Sequence, residues 1–361
     1  GDSGDDRPAD DRHGADVLDF AREHPQLALV RARGGSAWRE VALPAAWVRK
    51  FAANSVVLEG PEAERWHFDG YGRLEWLPVS EVGFFVRPTK AEDTGRDIEM
   101  LELLRPSGCV PTYFESVVLP GATFVLLESV SLISLAGRIQ EELVQRPWLT
   151  DEPLFSPEAA LPIMVDLLRG LAAMAEQGIV HSELTEDKIC FEPYYRRALI
   201  RDFGRSCLVG SNGPVHSCLR GSDILTASAF RHAPEMYGGH ANALENNVWQ
   251  LGLVFAKMLF GVLPTEAAFA SAMSEQRARS LDATTSGREI IRDFIRREFS
   301  LRDTPRYSEL AREHGDLLAI VEGMLCSDPR HRWREDVALR ATLKVASDRG
   351  VSVRREREPV R

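Results

Sequence analysis

Residues 178–191 read GIVHSELTEDKICF, and how that stretch divides decides the fold. His181, Leu184 and Ile189 take packing positions that keep a loop in place. Glu183, Thr185 and Lys188 are the positions left for chemistry. The segment before it predicts a helix, with Ser156, Pro157 and Glu158 as its start and Gly178 as its stop. Leu161, Val165, Leu168, Leu171 and Ala175 fall on one face of that helix, the spacing of a buried stripe.

Working outward, RDFG at 201–204, APE at 233–235, NNVWQLG at 246–252 and SDPRHRW at 327–333 follow in order. Residues 247–262, NVWQLGLVFAKMLFGV, are apolar nearly all round, the pattern of a helix surrounded by protein. Any one landmark is weak alone. All five, in order and at compatible distances, resemble the protein-kinase signature set over roughly residues 55–345. Short β-like runs (SVVLEG, RLEWLPV, EVGFFVRP) precede the helices, after a segment from 17 to 50 that reads as mixed helix and loop. The expected fold is α+β: a bilobed protein-kinase-like arrangement with a small β-rich N-lobe and a larger helical C-lobe. The boundaries that follow are an acidic disordered tail at 1–16, an N-terminal extension at 17–53, the N-lobe at 54–130, the C-lobe at 131–347 and a basic tail at 348–361.

The resemblance assigns architecture to one set of residues. Glu235 of APE should pair with Arg332, tying the activation segment to the helical lobe. Asn247 stands where an aspartate anchors the catalytic-loop backbone beside His181; its amide accepts one such hydrogen bond without bringing charge.

The chemical positions differ from the family pattern. Phosphoryl transfer needs metals bridging the phosphates, a lysine on them and a carboxylate orienting the hydroxyl. Aligned on His181, the orienting aspartate becomes Glu183, its preceding arginine Ser182, the phosphate-contacting lysine Thr185 and the metal-binding asparagine Lys188. The extra methylene of Glu183 moves its carboxylate by about an ångström, an error that can cost about 100-fold in rate. An ammonium is no metal ligand, so Lys188 either pairs with the surviving Asp202 or points to solvent. In the N-lobe, Arg87 of GFFVRP falls at the phosphate-binding lysine, and Asp97, or Glu99 in another register, at its helix partner. The glycine-rich loop falls on WHFDGYGRLEW, residues 66–76, where only Gly72 is kept and His67 and Asp69 take the other two places. DGYG within it also reads as an ordinary hairpin turn. A vestigial adenine hinge maps to VLLESV, with Leu127 as gatekeeper and Ser129 and Val130 offering backbone groups.

This combination is similar to the rhoptry and dense-granule kinase-like proteins of apicomplexan parasites such as Toxoplasma, in the branch without a glycine loop. Glu183 and Lys188 place it nearest a pseudokinase member of that branch, associated with the tissue-cyst wall. The resemblance implies a secreted protein of the parasitophorous vacuole or cyst wall. The expectation is a catalytically inactive pseudokinase, not an enzyme, acting as a scaffold or allosteric partner of an unidentified protein. No bound metal, ATP or Mg²⁺ is expected. Two alternatives stay open: an atypical, weakly active kinase using Glu183, Asp202 and Arg87, or a sensor that binds ATP without transfer.

Bulk properties set the outer limits. The net charge of −10 argues against a general nucleic-acid binder, and the 44% hydrophobic content suffices for a sizeable core. No run of about 18 apolar residues is present, although the basic tail RGVSVRREREPVR suits an acidic partner or membrane surface. The chain begins at Gly1, which leaves a removed signal peptide open. The five cysteines form no CxxC pair or metal cluster; Cys207 and Cys218 are near enough along the chain for a disulfide, or are two thiols.

Overall fold

The computed structural model describes residues 27–32, 39–42, 48–52, 55–59, 73–74, 81–84, 91–119, 122–127, 134–146, 151–192, 197–209, 226–238, 244–272 and 287–354. The chain divides into two compact units. The first comprises Gly1–Arg105, Pro111–Leu132 and Glu192–Tyr195; the second comprises Pro106–Val110, Ile133–Phe191 and Arg196–Arg361.

The first unit is built on antiparallel strands. They are β1 (Leu27–Ala32), β2 (Arg39–Ala42), β3 (Val48–Ala52), β4 (Ser55–Glu59), β5 (Arg73–Leu74) and β6 (Glu81–Phe84). One sheet has the order β2-β1-β6-β5, with Leu29 opposite Phe84 and Val30 opposite Gly83. The helix-and-loop reading of residues 17–50 is therefore corrected to strand at 27–32, 39–42 and 48–50. LALVRA is composed largely of good helix formers. Here β1 has hydrogen-bonding partners on both edges, and tertiary pairing overrides local propensity. Helix α1 (Ala91–Leu104) then packs on the hairpin β7 (Tyr113–Leu119) and β8 (Ala122–Leu127). Its buried face carries Asp97, Met100, Leu101 and Leu104, whereas Glu99 is exposed.

The second unit is mainly helical: α2 (Leu135–Gln145), α3 (Pro157–Glu176), α4 (Leu244–Phe260), α5 (Pro264–Ala272), α6 (Gly287–Arg297), α7 (Tyr307–Met324) and α8 (Glu335–Asp348). Helix α3 starts at Pro157, where a missing N–H costs nothing. It ends before Gly178, whose left-handed φ of 66° turns the chain into β9 (Ile179–Val180). The stripe from Leu161 to Leu171 is buried, but so are Ile163, Met164 and Leu167, because α3 is packed by α4, α8 and a short hairpin. That hairpin is β10 (Ile189–Phe191) with β11 (Ala198–Ile200). A further strand, β12 (Cys207–Leu208), pairs with β9.

Helix α4 is the axis of this unit, buried from Asn246 to Phe260 except at Lys257. It meets α7 so closely that a Cβ on Gly252 would lie 2.9 Å from Met324 Cβ. No single helix among the described residues is long and apolar enough to cross a membrane.

Candidate active site

Two side-chain amides on α4 hold the loop that follows β9. The Asn247 carbonyl oxygen accepts from the His181 N–H at 2.9 Å, and its NH₂ donates to the Ile179 carbonyl at 2.9 Å. One turn along, Gln250 accepts from the Leu184 N–H and donates to the Ser182 carbonyl, both at 3.0 Å. Asn247 thus makes two anchoring bonds, not the one expected. Gln250 is a functional residue the sequence reading missed. Its signal was there: an amide three residues from Asn247 on a helix otherwise apolar all round.

The clamp holds strained backbone. Ser182 has φ 70° and Asp202 has φ 66°, a left-handed conformation that side chains with a Cβ adopt at a cost on the order of 1–3 kcal/mol, less for aspartate. These two residues bracket the chemical positions, Ser182 directly before Glu183. His181 is fully buried; its Nε2–H donates to the Arg201 carbonyl at 3.1 Å, and its ring lies 4.9 Å from Phe203. Burial pushes its pKa down and keeps it neutral.

Charged groups populate the loop in pairs. Lys188 Nζ donates to Asp202 Oδ2 and lies 3.5 Å from Asp187 Oδ2. Of the two readings for Lys188, the structure has the pair rather than the solvent-facing side chain. Arg205 donates to Glu183 Oε1. Thr185 turns its hydroxyl onto Asp187 Oδ1. Beneath them Glu186, only 3% exposed, accepts from both terminal nitrogens of Arg231, at 2.6 and 2.9 Å, and from Lys257. Burial opposes the charge on Glu186, and Arg231 and Lys257 more than offset it, holding the carboxyl at about 2. Next to Arg231, His232 is buried; desolvation, reinforced by the Arg205 and Arg231 charges, pushes it down to about 4. Glu186, Arg231, Lys257 and Arg205 were not singled out in the sequence, since ion pairs between distant residues leave no periodic signal.

The expected Glu235–Arg332 contact is present and bidentate, with Arg332 Nη2 3.0 Å from Glu235 Oε2. Arg332 also donates to the Cys326 and Glu245 carbonyls and stacks 5.1 Å from the Trp249 ring. Of the N-lobe candidates, Asp97 is buried on α1, whereas Arg87, His67, Asp69, Gly72, Ser129 and Val130 lie outside the described residues. Leu127 is the last residue of β8. Cys207 is disulfide-bonded, whereas Cys109, Cys190 and Cys326 are not in disulfides.

Among the described residues, no three His, Cys, Asp or Glu side chains converge as a metal site. Where a catalytic-loop asparagine and the DFG aspartate would together hold a divalent ion, an ammonium already occupies the aspartate. The residues present do not fit a metal bridged between those two positions.

Comparison with known proteins supplies the family. The sequence model described as Protein kinase domain matches residues 86–342, well over half of the chain. The match begins at Val86, beyond the stretch in which a glycine loop was sought. A putative cyclin-dependent kinase F-2 from rice (Oryza sativa subsp. japonica) is 32% identical over 141 residues, 38% of this chain and 38% of the relative. Serine/threonine-protein kinase 16 from mouse (Mus musculus) is 22% identical over 258 residues, 67% of this chain and 72% of the relative. The chain thus spans less than two-fifths of the rice relative's length and about seven-tenths of the mouse one's.

These matches correct the expectation that the chain is not an enzyme. The family model is that of a kinase domain, and both relatives are named as kinases. The sequence reading took four altered positions as four lost functions. Two of those, Arg87 and the glycine loop, lie outside the described residues, and the other two, Glu183 and Lys188, keep charged groups held by neighbours.

Proposed function

The chain belongs to the protein kinase domain family, and from that premise we propose that it transfers a phosphoryl group from a nucleoside triphosphate to a protein hydroxyl. Glu183 orients the acceptor and Asp202 stands at the phosphates. The observation that carries this reading is the pair of left-handed residues at the chemical positions, Asp202 itself and Ser182 directly before Glu183, the latter held by the buried Gln250 amide. Strained backbone of this kind clusters at active sites.

In the step itself, the acceptor oxygen attacks the terminal phosphorus and the bond to the leaving diphosphate oxygen breaks. The hydroxyl proton passes to the Glu183 carboxylate, and a nucleoside diphosphate departs. Arg205 fixes one oxygen of Glu183, which limits the wander of a side chain one methylene longer than aspartate. Positioning of this sort accounts for much of the catalysis in phosphoryl transfer.

A bilobed arrangement, a protein partner that is also the acceptor, and secretion into a parasitophorous vacuole or cyst wall belong to the same proposal, the last resting on the resemblance alone. A nucleoside triphosphate replaces the earlier expectation of no ATP. Transfer of labelled phosphate to a general protein acceptor, or to the chain itself, tests the reading. Glu183→Gln and Asp202→Asn should each lower the rate by about 100-fold or more. Equal rates in wild type and both variants would overturn it.

A further inference from the structure

We propose that Lys188 is a resident cation that takes the place of a divalent ion beside Asp202, so that the site accepts a nucleoside triphosphate in its metal-free form. The inference rests on the phosphoryl-transfer reading above and specifies how its nucleotide is bound.

Three observations support it. First, Lys188 Nζ sits on Asp202 Oδ2 and 3.5 Å from Asp187 Oδ2, so one ammonium is flanked by two carboxylates. Second, its side chain is only 15% exposed. A lysine free to leave would keep its strongly hydrated head in water. Third, its backbone is fixed on both sides: the Lys188 N–H donates to the Thr185 carbonyl at 3.0 Å, and the Arg201 N–H donates to the Lys188 carbonyl at 2.9 Å. That second bond joins the lysine directly to the residue before Asp202. The backbones that carry the ammonium and the carboxylate are therefore held side by side.

The physical consequence is competition. A divalent ion at Asp202 would have to displace the ammonium and then sit close to it, where like charges repel strongly in a partly buried site. The ammonium itself has three donors and one positive charge, suited to phosphate oxygens as well as to a carboxylate. It supplies part of the charge neutralisation that a metal supplies elsewhere in the family, with no coordination sphere to fill. Arg205, on Glu183, brings a second cation to the same loop.

Nucleotide binding by calorimetry, with ATP in excess EDTA and ATP in excess Mg²⁺, tests this directly, alongside Mn²⁺ binding followed by its electron paramagnetic resonance signal. For the wild type, the two ATP affinities should agree within about threefold, and Mn²⁺ should not be held. Lys188→Asn should gain Mn²⁺ binding and lose at least tenfold in ATP affinity in EDTA, with recovery in Mg²⁺. Lys188→Arg keeps the charge and should behave as wild type, which guards against a folding defect in the asparagine variant. If wild-type binding collapses in EDTA, the metal-free mode is wrong while the kinase reading stands. If ATP binds in neither condition, both readings fail.

Discussion

Arg332 donates through both terminal guanidinium nitrogens to the Glu235 carboxylate, across 97 residues of chain, with its own side chain fully buried. Two further donors are used on the Cys326 and Glu245 carbonyls, and the guanidinium face lies over Trp249. One side chain thereby joins the APE segment, the start of α4 and the loop before α8. Removing one partner of a buried pair leaves the other desolvated and uncompensated, typically a loss of about 3–5 kcal/mol. Arg332→Ala should lower the unfolding free energy, measured in urea, by that amount. Arg332→Lys should recover only part of it, because an ammonium cannot reproduce the two-pronged contact. A lysine variant as stable as wild type would show that charge alone suffices.

Acid should destabilise the fold in a defined window. His232 is held at about 4 by desolvation and by the Arg205 and Arg231 charges, against an ordinary value of 6.5. The folded chain therefore keeps it neutral where the unfolded chain protonates it. Between about pH 6.5 and 4 the unfolded state binds more protons, so stability rises with pH and is lost on acidification, by on the order of 3 kcal/mol in full. His181 is shifted in the same direction by burial and adds to the slope. Chemical denaturation as a function of pH should show the slope, and His232→Gln should flatten it. Glu186 acts lower: its stabilisation is present above about 4.5 and disappears as pH falls through about 2.

The clamp on the loop gives a result contrary to a reading from charge alone. An aspartate at position 247 would keep the bond from the His181 N–H and strengthen it. It would also lose the NH₂ that donates to the Ile179 carbonyl at 2.9 Å and bring an anionic oxygen against that carbonyl. Asn247→Asp should therefore destabilise the protein by about 1–3 kcal/mol, measured by thermal or urea unfolding. Gln250→Leu strands both the Leu184 N–H and the Ser182 carbonyl and should cost at least as much. An aspartate variant more stable than wild type would mean that the carbonyl contact contributes nothing.

What the sequence made legible follows from the range of each interaction. The order of GIVHSELTEDKICF, RDFG, APE, NNVWQLG and SDPRHRW pointed to the kinase family, because each landmark is a local pattern with a fixed place in the chain. The buried helix α4 was equally plain from its unbroken apolar composition. Strand β1 was not, since its pairing with β6 joins residues about 50 positions apart and its own residues favour helix. At the site, Asn247 was read as an acceptor because its backbone partner is implied by the landmarks. Its donor role, and Gln250 beside it, depend on which carbonyls face the helix. Lys188 was found opposite Asp202 by alignment, but Arg231 and Lys257 meet Glu186 only in three dimensions. Inactivity was inferred from the substituted residue types alone, and the family and its kinase relatives overturned that inference.

Glu186 offers the sharpest test of how the loop is supported from below. It sits between Arg231, on the segment before APE, and Lys257, the one residue of α4 from Asn246 to Phe260 that is not buried. One carboxylate thus answers two cations. Glu186→Gln keeps the shape and removes the charge, leaving Arg231 and Lys257 facing each other in a partly buried site. The expected loss is about 3–5 kcal/mol, the range for breaking a buried ion pair. Adding Lys257→Met should restore part of it by removing one of the two stranded charges and filling the space with an apolar side chain. Double-mutant-cycle analysis of the four proteins by urea unfolding should give a coupling of about 1 kcal/mol or more between positions 186 and 257. Strict additivity would place Lys257 outside the network and leave Arg231 as the sole partner that matters.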